Sequence, residues 1–188
     1  MSDTQRIAIF IDGSNLYHAL KEDFGDAKIN FERFAAKLVE ARTLIRIYYY
    51  SAPLDRMRDQ QGAKDQQKFF DQLQRVPYLT LKLGRLEPRP KGVWVEKGVD
   101  IVIATDMLRF AFSNVYDTAV LVSGDSDFVP AVQAVQDFGK HVEMACSSSG
   151  RSTLLRNTCD RAIELNENLL ADCWLDGQRH AFVGKRRN

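Results

Sequence analysis

Four aspartates mark where this chain could do chemistry. Asp125 and Asp127 stand one serine apart in "VLVSGDSDF", Val120 to Phe128, directly after residues suited to a buried strand. Asp12 follows a second run of that kind, "RIAIFI", and Asp100 sits at the head of "VDIVIATDMLRFAF". Two carboxylates about 4 Å apart repel by roughly 4 kcal/mol at an effective dielectric near 20, so such a group needs a cation or a shared proton. No histidine or cysteine accompanies these acids in the sequence, and hard oxygen ligands alone favour Mg²⁺ or Mn²⁺ over zinc. An ion held there would activate water and neutralise charge on a phosphodiester. Blander readings stand beside this one: Asp127 as the N-cap of a helix that begins at Phe128 with Pro130 in its first turn, and "DGSN" at Asp12 as a simple turn.

The elements that would position these acids alternate in type. "RIAIFI" and "LIRIYYY" (Leu44 to Tyr50) read as central strands. A helix is expected through Leu16 to Lys21, and another places Phe31, Phe34, Leu38 and Val39 at helical spacing behind an Asn30 N-cap. Leu54 to Gln74 reads as an exposed helix. Leu79 to Asp100, with Pro88, Pro90 and Gly92, reads as a hairpin projecting from the body. Val99 to Phe112 fits strand or helix, and its length decides for helix. A strand over Ala119 to Val122, a helix from Phe128 to Phe138, a strand "HVEMAC" and a short helix from Thr153 to Thr158 follow, then a short strand in "RAIELNE" and a terminal helix near Leu169. This order predicts a three-layer α/β/α fold, a mainly parallel Rossmann-like sheet with helices on both faces. In such sheets sites form beyond the carboxyl ends of the strands, the edge at which Asp12, Asp125 and Asp127 leave.

With 188 residues and 45% hydrophobic content, the chain suits one domain, taken as residues 1–170, with 171–188 as a partly disordered tail. Lys and Arg total 26 against 25 for Asp and Glu, so any affinity for a polyanion must come from a local patch. Three widely spaced cysteines fit neither a zinc knuckle nor a disulfide framework, and reduced thiols point to the cytoplasm. No apolar run is long enough to span a membrane.

At the acids the sequence resembles a known family. "FIDGSNLY" with Asp12 and Asn15, "EKGVDIVIATDML" with Lys97 and Asp100, and "LVSGDSDFVPAV" with Asp125 and Asp127 resemble the three signature blocks of the NYN domain family, in its LabA-like bacterial branch, within the PIN-like nuclease superfamily. The blocks occur in the family's order, and the resemblance runs from about Arg6 to Glu164. It implies a PIN-like fold in which acids gather one or two Mg²⁺ or Mn²⁺ ions for endonucleolytic cleavage of RNA. Asp12, Asp100, Asp125 and Asp127 match the family's metal-binding, catalytic acids, Asn15 matches its polar partner, and Ser123 occupies its usual small-hydroxyl position. Asp106 lies six residues beyond Asp100, about 240° around a helix, and cannot face the same ion directly.

A nuclease also needs positive charge around its acids. Arg85, Arg89, Lys91 and Lys97 surround Trp94 in the hairpin, offering cations and one aromatic to single-stranded RNA, and Arg151 stands in another loop at the expected edge. The competing reading is a solvated hairpin whose Trp94 packs on the domain or on the second subunit of a homodimer. The expected function is a metal-dependent endoribonuclease. The alternative is a non-catalytic RNA- or nucleotide-binding regulatory module using the same acidic pocket. An aspartyl phosphotransferase is disfavoured, since that chemistry usually wants "DxD" after the first strand and here "DSD" comes late.

Overall fold

The computed structural model describes residues 4–89, 93–150 and 152–175. Six strands form one parallel sheet: β1 (Arg6–Asp12), β2 (Thr43–Ser51), β3 (Leu79–Leu83), β6 (Thr118–Val122), β7 (His141–Cys146) and β8 (Arg161–Glu164), in the order β3-β2-β1-β6-β7-β8. β4 (Arg85–Arg89) and β5 (Val93–Lys97) make a separate antiparallel pair. The expected hairpin is therefore smaller than the sequence suggested. "LTLKL" joins the main sheet instead, its Leu79 and Leu81 packing against the core on one side of β2.

Alternation along the strands builds two cores. Ile7, Ile9 and Ile11 face one layer, formed by α1 (Gly13–Phe24), α2 (Phe31–Val39), α3 (Gln60–Leu73) and α7 (Glu167–Leu170). Ala8 and Phe10 face the other, formed by α4 (Val99–Phe112), α5 (Val129–Asp137) and α6 (Thr153–Thr158). The three-layer architecture is the expected one. Several helix starts have a local cause: the Asn30 side chain accepts from the Arg33 amide, Asp59 from Gly62 and Ser152 from Leu155. α3 is less exposed than its polar sequence implied, burying Phe70 and Leu73, while Met57 lies before the helix at 95% exposure.

Beyond residue 170, Cys173 is buried and Trp174 bridges to Ile29, so the described chain stays on the domain as far as Leu175. The tail from 176 onward lies outside the described residues. Among the described residues no helix is long and apolar enough to cross a membrane.

Topology decides where a site can form. From β1 the chain runs through α1 and α2 on one face to β2, whereas from β6 it runs through α5 on the other face to β7. The neighbouring strands β1 and β6 thus send their connections to opposite faces, opening a crevice at their carboxyl ends.

Candidate active site

Asp12 is the last residue of β1, and its side chain is 6% exposed in this crevice. The Asn15 amide donates to its Oδ1 at 3.1 Å, which caps α1, and the Ser123 hydroxyl donates to its Oδ2 at 3.3 Å. This corrects the turn reading: β1 passes straight into α1 at Gly13, and Asp12 is the helix cap. One oxygen caps a helix while the other points to the strand exit opposite. Register makes that meeting unavoidable: Ile11 pairs with Val122, and the next residue on each strand is Asp12 or Ser123.

The β6 exit is tied down by a short relay. The Asp125 amide donates to Ser123 Oγ at 3.2 Å, and the Gly124 amide donates to Asn15 Oδ1 at 3.1 Å. Asn15 therefore links the two exits through both its backbone and its side chain. The Asp127 amide donates to Asp125 Oδ1 at 3.0 Å, capping a 3₁₀ turn over Ser126–Phe128. This corrects the capping expectation: α5 begins after Phe128 with no side-chain cap, so Asp127 holds no helix start and its side chain is exposed.

Asp100 enters from the first turn of α4, where the left-handed Gly98 (φ 82°) turns the chain from β5 into the helix. A Cβ at Gly98 meets nothing, so the positive φ alone calls for glycine. Burial is the largest cause holding the Asp12 carboxyl above the usual range, and the charges of Asp100 and Asp125 add to it. Asp100 is raised as well, by partial burial and then by Asp125 and Asp127. Four carboxylates thus share one field. Asp12, Asp100 and Asp125 line a cleft of about 370 Å³ with Ser14, His18 and Glu22.

Unlike Ser14 in "DGSN", His18 and Glu22 were not singled out from the sequence, and His18 corrects the expectation that no histidine accompanies the acids. Their signal was present as i, i+4, i+8 spacing on one face of α1, beginning two residues after Asp12. Ser149 and Gly150 complete the far wall. Of the expected substrate-binding residues, Asn15 and Ser123 lie at the acids; Lys97 ends β5 three residues before Asp100, and its side chain lies outside the described residues, as does Arg151. The side chains of Arg85, Arg89, Lys91 and Trp94 lie outside them too.

Among the described residues no three histidine, cysteine, aspartate or glutamate side chains converge closely enough to chelate an ion directly. The donors nonetheless suit one kind of cation. Mg²⁺ keeps several waters and is held by one or two carboxylates together with substrate phosphates, and mutually repelling carboxylates are the groups such an ion relieves.

A larger, mostly apolar cleft of about 690 Å³ lies between α1, α2 and α3, on the opposite layer from α4. It contains none of the four acids.

A parallel three-layer sheet with acids gathered at its topological switch point defines the class: an α/β protein of PIN-like architecture. The NYN domain family matches residues 6–166, and the chain belongs to that family. It is 31% identical over 168 residues to the low amplitude and bright protein LabA of Synechococcus elongatus, covering 86% of this chain and 84% of that protein. An uncharacterized protein of Methanocaldococcus jannaschii is 34% identical over 74 residues, 39% of this chain and 31% of its own length. A crystal structure of a Vibrio parahaemolyticus protein of unknown function superposes with a TM-score of 0.70 at 22% identity, covering 89% of this chain and 97% of that one. That likeness concerns the fold alone.

Proposed function

We propose that this protein is a metal-dependent endoribonuclease whose catalytic acids are Asp12, Asp100, Asp125 and Asp127. The observation that carries the reading is the convergence of Asp12, Asp100 and Asp125 on one cleft, with Asp12 and Asp100 pushed towards protonation by burial first and by neighbouring carboxylates after it. Membership of the NYN family supports a nuclease-type role. Mg²⁺ or Mn²⁺ bound there would neutralise charge on the phosphodiester and make water a better nucleophile. Around it the chain's own residues hold the geometry. Asn15 and Ser123 fix the Asp12 carboxylate from both strand exits, and Asp125 is oriented by the amide of Asp127. Ser14 and His18 face the space an RNA phosphate would occupy, while Lys97 and Arg151 are assigned to the RNA backbone.

The test is cleavage of a labelled single-stranded RNA with Mn²⁺, with Mg²⁺ and with EDTA, beside Asp12→Asn and Asp125→Asn. Loss of several kcal/mol of transition-state stabilisation makes each variant slower by about a thousandfold. Equal residual cutting by wild type and variants would assign the cleavage to a contaminant and leave the non-catalytic binding module as the surviving reading. Pairing of two copies belongs to the same proposal and is checked by sedimentation.

A further inference from the structure

Asp106 is buried on α4 away from the cleft and holds more donors than its charge requires. Tyr50 Oη donates to Oδ2 at 2.9 Å, Lys82 Nζ lies 2.5 Å from the same oxygen, and Arg109 donates to Oδ1 at 3.0 Å. The carboxylate is 7% exposed, whereas the Arg109 side chain is 59% exposed and that of Lys82 26%. One cation would have neutralised it. The second leaves an excess of positive charge that water or an anion must balance.

A third cation stands on the same face. Arg46 on β2 shares its side of the sheet with Tyr48 and Tyr50, and its guanidinium donates to Thr80 Oγ1 at 3.3 Å across to β3. Tyr48 and Phe110 stack at 4.8 Å to make an apolar floor, with Lys82 Nζ 5.5 Å from each ring and Arg109 4.6 Å from the centre of Phe110. Arg46 and Arg109 both act on the Tyr48 hydroxyl, as does Asp106. Three cations from β2, β3 and α4 against one buried acid give this strip a net charge of about +2.

The strip leads to the acids. Asp12 pairs with Tyr50, and Tyr50 pairs with Lys82, so Lys82 stands two strand spacings, roughly 10 Å, from Asp12. Arg46 lies four residues back along β2, about 13 Å farther from that edge. A strand of RNA leaving the cleft over β2 and β3 would pass Lys82 and Arg109 and then Arg46. A chain whose overall charge is only +1 has concentrated cations beside its acidic centre.

We infer that Arg46, Lys82 and Arg109 form a phosphate-binding track for single-stranded RNA, leading from the aspartate cleft across β2 and β3. The assignment rests on the endoribonuclease reading for its ligand. Its contacts are to phosphates, so it adds affinity without sequence preference.

The experiment measures binding of a short fluorescent oligoribonucleotide by anisotropy over a salt series, in an Asp125→Asn background that limits cleavage. Arg46→Ala with Arg109→Ala should make the plot of log affinity against log salt shallower by about 1.4, which near 0.1 M salt is roughly a 25-fold weaker complex. Arg46→Lys with Arg109→Lys should keep the slope, and Arg46→Gln with Arg109→Gln, expected to lose the same slope of about 1.4, stands in if the alanine variant fails to fold. Lys37→Ala with Lys68→Ala on α2 and α3 makes the same charge change on the opposite face and should leave the slope unaltered. An unaltered slope in the Arg46 and Arg109 variant, or an equal loss in the lysine control, overturns the track. Cleavage is scored separately on wild type. Cutting with no change of slope removes the track and keeps the nuclease; a changed slope without cutting keeps the track and removes the nuclease.

Discussion

Replacing Asp12 by Asn should stabilise the protein in the absence of divalent metal. Asparagine caps a helix about as well as aspartate: its one amide oxygen accepts from the Asn15 amide, and its NH2 takes the place of Oδ2 and donates to Ser123 Oγ, so the variant loses charge while keeping two bonds. What disappears is repulsion from Asp100 and Asp125 and the cost of burying an anion. At a separation of about 7 Å and an effective dielectric near 20, one such neighbour costs about 2 kcal/mol. For a chain of this size that corresponds to a melting temperature higher by roughly 4–8 °C in EDTA at neutral pH. The pH dependence fixes the sign. A carboxyl raised in the fold is tolerated while protonated, and its contribution is lost as pH rises through the folded value. Wild type and variant should therefore converge below the ordinary aspartate value of 3.8 and separate above it. Saturating Mn²⁺ reverses the order. At a hundred times its dissociation constant an ion adds about 2.7 kcal/mol, or roughly 5–11 °C, to wild type and little to the variant. Scanning calorimetry across pH, with EDTA and then Mn²⁺, reads all of this. If Asp12→Asn melts below wild type in EDTA at neutral pH and both respond alike to Mn²⁺, the carboxylate is a helix cap only and the reasoning is refuted.

Three further outcomes are expected. Arg42 grips Glu143 through two bonds of 2.7 and 3.0 Å beneath the sheet, so Arg42→Met should cost about 3 kcal/mol, read as a lower urea midpoint; the Arg161 contact at 3.8 Å limits the loss. A Cβ at Gly13 would lie 2.6 Å from the ring of the buried Tyr49, which packs against Phe31 and Phe69, so Gly13→Ala should destabilise by roughly 1–3 kcal/mol in thermal melts. Asn15→Ala leaves the Gly124 amide without its acceptor at a cost of about 1–3 kcal/mol, and that amide should exchange with deuterium faster than its neighbours.

Much of the fold was legible because short β-branched runs and helical spacings are local properties. β1, β2, β6 and β7 lie where the apolar runs lie, and Val99 to Phe112 is helical, as its length required. Four acids at strand ends or beside a helix start could be grouped once the sheet was known to be parallel. "LTLKL" could not be placed, since a strand leading into a hairpin and an edge strand of the main sheet share the same alternation, and only pairing with β2 separates them. Nor could the sequence tell whether Asp125 or Asp127 caps the turn, because each precedes residues able to start one. Asp106, about 240° around α4 from Asp100, stays out of the cleft as its position on the helix required. Its partners Tyr50 and Lys82 lie 56 and 24 residues away and emerge only from the register of β2 on β3.

The β4–β5 hairpin divides the chain into two parts that share the sheet. Residues up to β3 supply Asp12 and the strands on one side of the switch point, while residues from β5 onward supply Asp100, Asp125, Asp127 and the strands on the other side. Neither part carries a complete acid group. During synthesis β1 must wait, one long edge unpaired, until β6 emerges, so the cleft closes only after two-thirds of the chain has been made. The same division marks the hairpin as the place to cut the gene in two: each fragment alone would lack the site, and reassembly of β1 on β6 would restore it, turning the acidic crevice into a reporter for whatever brings the fragments together.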